Sequence, residues 1–419
     1  MRIFKFGGAS VKDASSVKNV ASVLEQVGSE NVLIIVSAMG KTTNAIEGIV
    51  EIYQNNPTQL KTAIQQLEAF HLEIVEELLG ENKNELEEKV KELIQQLLFF
   101  FQHNKSPNYS FVYDQTVSYG ELISTTIIAH YLNYIGLPAQ WLDSRLCVKT
   151  DSYYRDANLD WELTQQRIKS HAKKGKLIVS QGFIGSDQNN FTTTLGREGS
   201  DYSAAIFAYA LGAESVTIWK DVPGVLNGDP RYFKDTVLLN QISYREAIEL
   251  AFYGASVIHP KTLQPLQRKE IPLFVRSFIN PKEKGTSVSK GKTLEPHVPC
   301  FIIKQNQVLL KLSSLDFSFI VEENISEIFA LLSRFQMRVE LIQNSAISFS
   351  VVVNNKYNRL EELLTELNIK FKVKVTENVN LFTVRHFDQK AKDQVRSFGD
   401  KILLEQRTRQ TLQVVLKND

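Results

Sequence analysis

The sequence predicts an α/β protein in which a mostly parallel sheet lies between helices, followed by a smaller α+β region of ferredoxin-like units. Three observations support this. Apolar segments of strand length alternate with segments of helical period over the first two thirds of the chain, as in parallel sheets. Several of these strands end in glycine or charged residues. Beyond about residue 298 the order becomes strand, helix, two strands and helix.

The length and composition limit the class of protein. A chain of 419 residues favours two or three domains. With 48 basic and 47 acidic residues, the net charge of +1 predicts neither a nucleic-acid partner nor membrane binding through a basic surface. Cys147 and Cys300 lie far apart, which favours a reducing compartment and argues against structural zinc. We expect no membrane span and no secretory leader, and therefore a cytoplasmic protein with a small-molecule site.

A glycine turn follows the first predicted strand, residues 3–6. Gly7 and Gly8 permit a tight turn, and Ser10 with Asp13 can cap the next helix. Backbone N–H groups in such a turn can point at an anion, the helix contributes its positive end, and Lys5 adds a full charge. The turn therefore indicates a phosphate site, although an ordinary strand-to-helix connection fits the same residues.

The second predicted strand, residues 31–36, ends in a polar segment that includes Thr43. The triplet Gly40-Lys41-Thr42 matches the end of the Walker-type phosphate-loop motif, but that motif also needs a glycine where Ile35 stands. We therefore reject a Walker loop. The polar strand end still supplies hydrogen-bond donors for an anionic ligand.

Two helical segments follow. Residues 57–104 are rich in Glu, Lys, Gln and Leu at helical spacing and predict a long hairpin, to which we assign no chemistry. The motif Ser118-Tyr119-Gly120-Glu121 is predicted to start an apolar helix that runs to His130. Glu121 is then either a first-turn helix charge or the acceptor of a substrate ammonium group.

Three more strands are predicted near residues 139–143, 177–181 and 215–219. In parallel sheets, ligands bind beyond the carboxyl ends of the strands. Four of the predicted strand ends carry glycine or polar residues, namely Gly7-Gly8, Ser37, Gly182 to Gly185, and Lys220-Asp221. This repetition indicates a shared pocket.

A second glycine turn, residues 196–201, opens a helix. Arg197 can clamp a carboxylate with two parallel hydrogen bonds, and Asp201 can orient a lysine such as Lys5. Alternatively, Arg197 is a surface charge and Asp201 a helix cap. The loop 220–231 contains prolines and glycines that exclude regular structure and suits a nucleotide. Lys261 places a further cation after a helix stop.

Five motifs together resemble those of the aspartate kinases of the amino-acid kinase family, and the resemblance covers essentially the whole chain. Three residues depart from the family pattern: Ala9 replaces a usual threonine, Glu198 a common glycine and Leu226 a frequent tyrosine. The motifs, in the family's order, are Lys5-Phe6-Gly7-Gly8-Ala9-Ser10, Ser118-Tyr119-Gly120-Glu121, Gly196-Arg197-Glu198-Gly199-Ser200-Asp201, Asp221-Val222-Pro223-Gly224 with Asp229-Pro230-Arg231, and Ile258-His259-Pro260-Lys261-Thr262.

The resemblance implies phosphoryl transfer from ATP to the side-chain carboxylate of L-aspartate, giving 4-phospho-L-aspartate for lysine, threonine and methionine synthesis. That carboxylate is ionised at neutral pH, so the reaction needs charge neutralisation and no general base. Mg²⁺ is expected mainly on phosphates and water, with no protein cluster dedicated to it. The implied catalytic residues are Lys5, Gly8 and Asp201, which organises Lys5.

The resemblance also implies the binding residues. For the substrate these are Arg197 on the α-carboxylate, Glu121 on the amino group, and Thr43 and Ser200 as supporting donors. For the nucleotide they are Lys5, Gly7, Gly8, Ser10, Lys220, Asp221, Leu226, Arg231 and Lys261, with Lys261 near the phosphates.

The chain is then expected to divide into a kinase domain (1–285), a linker (286–299) and a regulatory region (300–419). The regulatory region resembles paired ACT domains, with one unit at about 306–376 and a second at 377–419 that borrows the strand 300–305. The implied effector residues are Ser313, Asp316, Glu340 and Ser345, with Glu340 facing an amino group or serving only as a strand-edge charge. Lysine is the favoured inhibitor, threonine the alternative, and a homodimer through the ACT region is expected.

Two other functions compete with aspartate phosphorylation. A different amino-acid kinase would phosphorylate glutamate or a carbamate, but the motif ending in Glu121 and the ACT-like region disfavour it. A catalytically silent amino-acid sensor is disfavoured by the intact set of Lys5, Arg197, Asp201 and Lys261.

Overall fold

The chain forms two compact units in the computed structural model. The structure describes residues 1–173, 175–255, 258–316, 318–399 and 401–417. Within these residues, no helix combines the length and the hydropathy that crossing a membrane requires. The first unit comprises residues 1–225, 238–248 and 258–296, and the second comprises 226–237, 249–255 and 297–417.

An eight-stranded sheet forms the centre of the first unit. Its neighbouring strands are parallel, except that β9 and β10 are antiparallel, and the order is β3-β4-β2-β1-β7-β9-β10-β8. A separate antiparallel hairpin consists of β5 and β6. The mostly parallel sheet predicted from the sequence is thereby confirmed. The strands are β1 (Arg2–Phe6), β2 (Val32–Val36), β3 (Ala139–Leu142), β4 (Leu177–Gln181), β5 (Ile184–Ser186), β6 (Thr192–Thr194), β7 (Ser215–Lys220), β8 (Gln241–Ser243), β9 (Leu273–Ser277) and β10 (Thr286–Ser289).

Helices alternate with these strands. The predicted hairpin at 57–104 is observed as α3 and α4, because apolar side chains at helical spacing are buried on one face of each helix. The helices are α1 (Ala14–Val27), α2 (Thr42–Asn55), α3 (Leu60–Leu79), α4 (Asn84–His103), α5 (Tyr109–Tyr134), α6 (Trp161–His171), α7 (Gly199–Leu211), α8 (Tyr244–Tyr253) and α9 (Pro260–Arg268).

Two inner strands of this sheet, β1 and β2, are largely or wholly buried. Phe6 and Trp219 stack with ring centroids 6.1 Å apart, while Phe4 meets the same indole edge-on at 5.7 Å. The parallel register pairs Phe6 with both Val36 and Trp219. The carboxyl ends of β1, β2 and β7 therefore meet at one edge of the sheet, and the loops that follow them share that edge.

Two sequence predictions are corrected by these bounds. The helix with the Ser118 to Glu121 motif begins at Tyr109 rather than at the motif, so Glu121 lies mid-helix and is no first-turn charge. Its first turns contain the polar residues Asp114, Gln115 and Thr116, which interrupt the apolar pattern. The predicted linker begins with β10, which pairs with β9 and β8 and so is part of the sheet.

A six-stranded antiparallel sheet, in the order β12-β13-β11-β14-β16-β15, forms the second unit. β11 and β14 have 15 residues each and run through both halves of the sheet, with register shifts between Lys304 and Leu309. The predicted strand–helix–strand–strand–helix order is observed. The elements are β11 (Cys300–Ser314), α10 (Glu322–Arg334), β12 (Arg338–Asn344), β13 (Ser348–Asn354), α11 (Leu360–Leu367), β14 (Phe371–Arg385), α12 (Gln389–Arg396), β15 (Ile402–Arg407) and β16 (Thr411–Lys417).

Candidate active site

A polar cleft of about 310 Å³ lies at the carboxyl edge of the first sheet. It collects side chains from β1, from the ends of β2 and β4, from α2, α5 and α7, and from the end of β7. Larger cavities of about 620 and 830 Å³ occur elsewhere in the first unit, but neither is lined by the carboxyl ends of β1, β2 and β7. The cleft is lined by Lys5, Ser37, Thr43, Glu121, Phe183, Gly196, Glu198, Gly199, Ser200, Asp201 and Lys220.

The cation at the centre of this cleft is Lys5. Its Nζ lies 2.6 Å from Oδ1 of Asp201, and the two side chains are only 12% and 4% exposed. Asp201 belongs to the first turn of α7, whose N-cap position is taken by Glu198. A buried ammonium needs an opposite charge, because desolvation otherwise disfavours its ionised form. Asp201 therefore compensates the charge of Lys5 and holds its ammonium group at the cleft.

The glycine turn after β1 packs closely against the turn after β2. A Cβ at Gly8 would stand 2.8 Å from the carbonyl oxygen of Gly40, whose N–H donates to the Gly8 oxygen at 3.1 Å. Only glycine permits this approach. Ser10 is buried and its Oγ donates to the Trp219 carbonyl at 3.3 Å, while Asp13 caps α1. Gly8 and Ser10 thus fix the turn from behind and do not line the cleft.

Glu121 is a buried carboxylate with one unbonded oxygen. Its Oε1 accepts a hydrogen bond from the Ala38 N–H at 3.2 Å, and its Oε2 is buried without a hydrogen-bond partner among the described residues. Burial raises the pKa of this carboxyl to about 8. A buried polar atom without a partner is costly, so Oε2 is suited to a donor that arrives with a ligand. An ammonium group fits that requirement.

A third carboxylate, Glu198, also lines the cleft and was missed as a site residue by the sequence reasoning. Its backbone is left-handed, with φ +53°, a conformation that favours glycine. Burial and the neighbouring Asp201 raise the pKa of its carboxyl, and its Oε2 has no hydrogen-bond partner in the described part of the chain. The departure from the family's glycine at this position was the available signal. Ser37 and Phe183 stand at strand ends that the sequence placed at a shared pocket, and both line the cleft, although no individual role was predicted for either.

The remaining predicted residues of the first unit lie outside the cleft lining. Arg197 is exposed, between two lining residues, and its guanidinium has no hydrogen bond or ion pair with any residue that the structure describes. Asp221 is exposed on the loop after β7. Lys261, in the first turn of α9, forms an ion pair with Asp156 at 2.5 Å.

Two predicted nucleotide contacts, Leu226 and Arg231, belong to the second unit. The Arg231 side chain is 77% exposed and pairs with Asp229 at 2.6 Å. Leu226 is partly buried.

The predicted effector residues of the second unit have different environments. Glu340 sits at a β-bulge of β12, its carboxylate is 6% exposed, and it forms ion pairs with Lys304 and with Nε of Arg338 at 3.2 Å. Asp316 and Ser345 are exposed, and Ser313 is partly buried on β11. An effector ammonium group at Glu340 would therefore have to compete with the Lys304 side chain.

Comparison with known proteins gives consistent results for sequence and structure. The model of the amino acid kinase family matches residues 1–277. The lysine-sensitive aspartokinase 3 of Escherichia coli (strain K12) is 32% identical over 391 residues, which cover 90% of this chain and 85% of that protein. A bifunctional aspartokinase/homoserine dehydrogenase 2 of maize is 29% identical and covers 88% of this chain, which spans 41% of its length.

The same similarity is seen in solved structures. E. coli aspartokinase III in complex with lysine and aspartate superposes with a TM-score of 0.83 at 29% identity, covering 100% of this chain and 96% of that one. The complex of that enzyme with aspartate and ADP gives a TM-score of 0.82 with the same identity and coverage.

Proposed function

The chain belongs to the amino acid kinase family and, within it, to the aspartokinases, which are ATP-dependent kinases, and from this premise we propose that it phosphorylates the side-chain carboxylate of L-aspartate. The product would be 4-phospho-L-aspartate, the start of lysine, threonine and methionine synthesis. One observation carries the proposal. A buried cation, Lys5, and a buried carboxylate with a free oxygen, Glu121, face the same cleft, as a zwitterionic acceptor and an anionic donor require.

In this mechanism the acceptor arrives as a nucleophile, because an aspartate side chain is ionised at neutral pH. The barrier comes from bringing two anions together. Lys5 and the N–H groups of the Gly7-Gly8 turn would neutralise the charge that develops on the transferred phosphoryl group, with Asp201 holding Lys5 in place. One such interaction is worth about 3 kcal/mol, or a factor of a few hundred in rate.

The substrate contacts follow from the cleft and from the predicted roles. Glu121 would accept the α-ammonium group at its free oxygen, and Thr43 and Ser200 would donate to the substrate from the cleft wall. Arg197 stands unengaged in the described structure, on the turn that contributes Gly196 and Glu198, and would swing to the α-carboxylate.

For the nucleotide, the proposal keeps Ser10 behind the glycine turn, Lys220 in the cleft, and Asp221 and Lys261 as surrounding contacts. Leu226 and Arg231 stay predictions from the sequence. No group of three or more His, Cys, Asp or Glu side chains in the described residues is arranged to bind a metal ion. Glu198 and Asp201 offer carboxylate oxygens at the cleft, and Mg²⁺ would arrive with the nucleotide, held mainly by phosphates and water and screening their charge.

We further propose feedback inhibition through the second unit. The E. coli relative is named lysine-sensitive, and its solved complex contains lysine. Lysine is therefore the favoured inhibitor and threonine the alternative, with Ser313, Asp316, Glu340 and Ser345 as the contacts. A homodimer through the ACT region and a cytoplasmic location belong to the same proposal. Light scattering of the purified chain tests the dimer.

The decisive experiment is an ATP- and aspartate-dependent hydroxamate assay, with Lys5→Ala as the inactive control. Aspartyl hydroxamate from the wild type and none from the variant supports the proposal. Glutamyl hydroxamate formed in preference would identify a different amino-acid kinase. Absence of both products, with amino-acid binding retained, would identify a sensor. Added lysine or threonine tests the feedback, and no inhibition by either would leave the second unit without that role.

A further inference from the structure

A fully buried carboxylate, Asp114, lies on α5 seven residues before Glu121. Seven residues are close to two helical turns, so both carboxylates lie on the same face of the helix. Asp114 is the sixth residue of α5 and therefore has no part in capping its N-terminus. Its exposed fraction is 0%, a position that a carboxylate tolerates only when its oxygens accept hydrogen bonds.

The donors to Asp114 come from two segments distant in sequence. The Arg155 N–H donates to Oδ2 at 3.0 Å and approaches Oδ1 at 3.2 Å. The Thr194 N–H donates to Oδ2 at 2.9 Å, and the Thr194 Oγ1 donates to Oδ1 at 2.8 Å. Burial raises the pKa of Asp114 to about 6, although the hydrogen bonds from Arg155 and Thr194 act to lower it. The carboxylate thus binds three neutral groups, while the Arg155 guanidinium pairs with Glu47.

Each of these segments leads to the reaction site. Thr194 ends β6, and the residue two positions later, Gly196, lines the cleft and starts the turn that ends at Asp201. Arg155 precedes Asp156, the ion-pair partner of Lys261. A Cβ at Gly196 would stand only 2.4 Å from Oδ1 of Asp156, so the two segments are in close contact.

We propose, on the premise of the kinase function above, that Asp114 is a positioning residue for phosphoryl transfer. Its carboxylate joins the turn that carries Ser200 and Asp201, and the loop that carries Asp156, to the helix that carries Glu121. It touches no substrate atom. Its effect is to keep the groups on three elements at distances that the reaction can use, since a displacement of about 1 Å at such groups costs about 100-fold in rate.

A matched control is offered by Asp187, which binds the same hairpin at its opposite end. Asp187 is 1% exposed, and its Oδ1 accepts from the N–H groups of Asn189 and Phe191 at 2.9 and 3.0 Å. Its Oδ2 accepts from Ser152 Oγ at 3.0 Å and from the Tyr154 hydroxyl at 3.3 Å. It therefore stabilises the β5–β6 hairpin and the same loop without being adjacent in sequence to the cleft residues.

The test compares steady-state kinetics and melting temperatures of the full-length wild type, Asp114→Ala, Asp114→Asn and Asp187→Ala. We expect Asp114→Ala to raise KM for aspartate about tenfold and to lower kcat, because the turn is displaced. Asp114→Asn should restore KM to within about threefold of the wild type, since an amide oxygen can accept both N–H groups while its NH₂ donates to Thr194 Oγ1. Asp187→Ala should lower the melting temperature and leave KM unchanged.

An unchanged KM in Asp114→Ala, or an equal rise in Asp187→Ala, would overturn the proposal. If Asp114→Ala does not fold, Thr194→Val removes one of the hydrogen bonds in a smaller change. A rise of about threefold in KM for aspartate then supports the positioning role, and no rise overturns it. If the wild type forms no acyl phosphate, the kinase function itself is refuted. If the wild type is active and Asp114→Ala is equally active, only the positioning role of Asp114 is refuted.

Discussion

The buried pair of Lys5 and Asp201 permits a quantitative prediction. At 2.6 Å, and with an effective dielectric constant of about 20, the attraction between two unit charges is about 6 kcal/mol. Desolvation of both ions offsets a large part of this attraction. Removing one partner, however, leaves the other charge buried and uncompensated. We expect Lys5→Met and Asp201→Asn each to lower the free energy of unfolding by about 3 kcal/mol, and the double variant to lose far less than their sum.

The three tryptophans make the measurement specific. Trp141, Trp161 and Trp219 all belong to the first unit, so urea unfolding followed by tryptophan fluorescence reports on that unit alone. From the two single variants and the double variant we expect a coupling energy of about 3 kcal/mol. Phosphoryl transfer should be lost in both variants that lack Lys5, whatever their stability.

An exposed pair of the same length provides the control. Lys89 and Glu85 on α4 are also 2.6 Å apart, but their side chains are 48% and 70% exposed. Solvent screening and side-chain entropy should leave their coupling energy within the error of the measurement. If the effects of Lys5→Met and Asp201→Asn were additive, as expected for the exposed pair, the argument that Asp201 compensates the charge of Lys5 would be wrong.

Four further results are expected. Burial raises the pKa of Glu121 to about 8, and only the ionised carboxylate attracts an ammonium group. KM for aspartate should therefore fall as the pH rises from about 6.5 to 8. The Glu121→Gln variant should show no such pH dependence of KM in the same assay. Because the pKa is raised in the folded state, protonation of this carboxyl stabilises the fold fully at a pH below its ordinary pKa of 4.5, and this stabilisation is lost as the pH rises to 8. Urea unfolding of Glu121→Gln should not show this loss. Arg197 is exposed, so Arg197→Lys should leave the melting temperature unchanged but raise KM for aspartate about tenfold; an unchanged KM would remove Arg197 from the substrate site. Lys304→Met removes one of the two cations paired with Glu340, leaving Arg338, and should lower the lysine concentration for half-inhibition about tenfold. Equal inhibition curves would show that Glu340 is only structural.

Much of the cleft could be predicted from the sequence, because parallel strands bring their carboxyl ends to one edge. The glycine turns at Gly8 and Gly196, and the polar ends of β2 and β7, are local features that a single chain displays. Lys5, Thr43, Asp201 and Lys220 were placed at this edge on that basis, whereas the resemblance to the aspartate kinases implied that Glu121 and Ser200 belong to the same site. The structure gathers all six in the cleft lining.

Other features depend on contacts that no local pattern records. Asp114 receives hydrogen bonds from residues 41 and 80 positions away, and its polarity concealed the first turns of α5. The inward turn of Glu340 depends on a register shift in β12, and alternation along the strand cannot reveal such a shift. The nucleotide contacts were the least predictable, because the loop 220–231 has no periodicity from which the directions of its side chains could be inferred.

The two long strands of the second unit impose an order on its folding. The carboxyl part of β11 pairs with β13 and with the start of β14, whereas Cys300 pairs with Arg385, near the end of β14. During synthesis, residues 300–304 therefore emerge as an unpaired strand and must wait for about 80 further residues before their partner exists. Such a delayed pairing slows folding and leaves an edge open to other chains. Truncation after α11 would make this temporary exposure permanent, and aggregation of the truncated chain is the expected consequence.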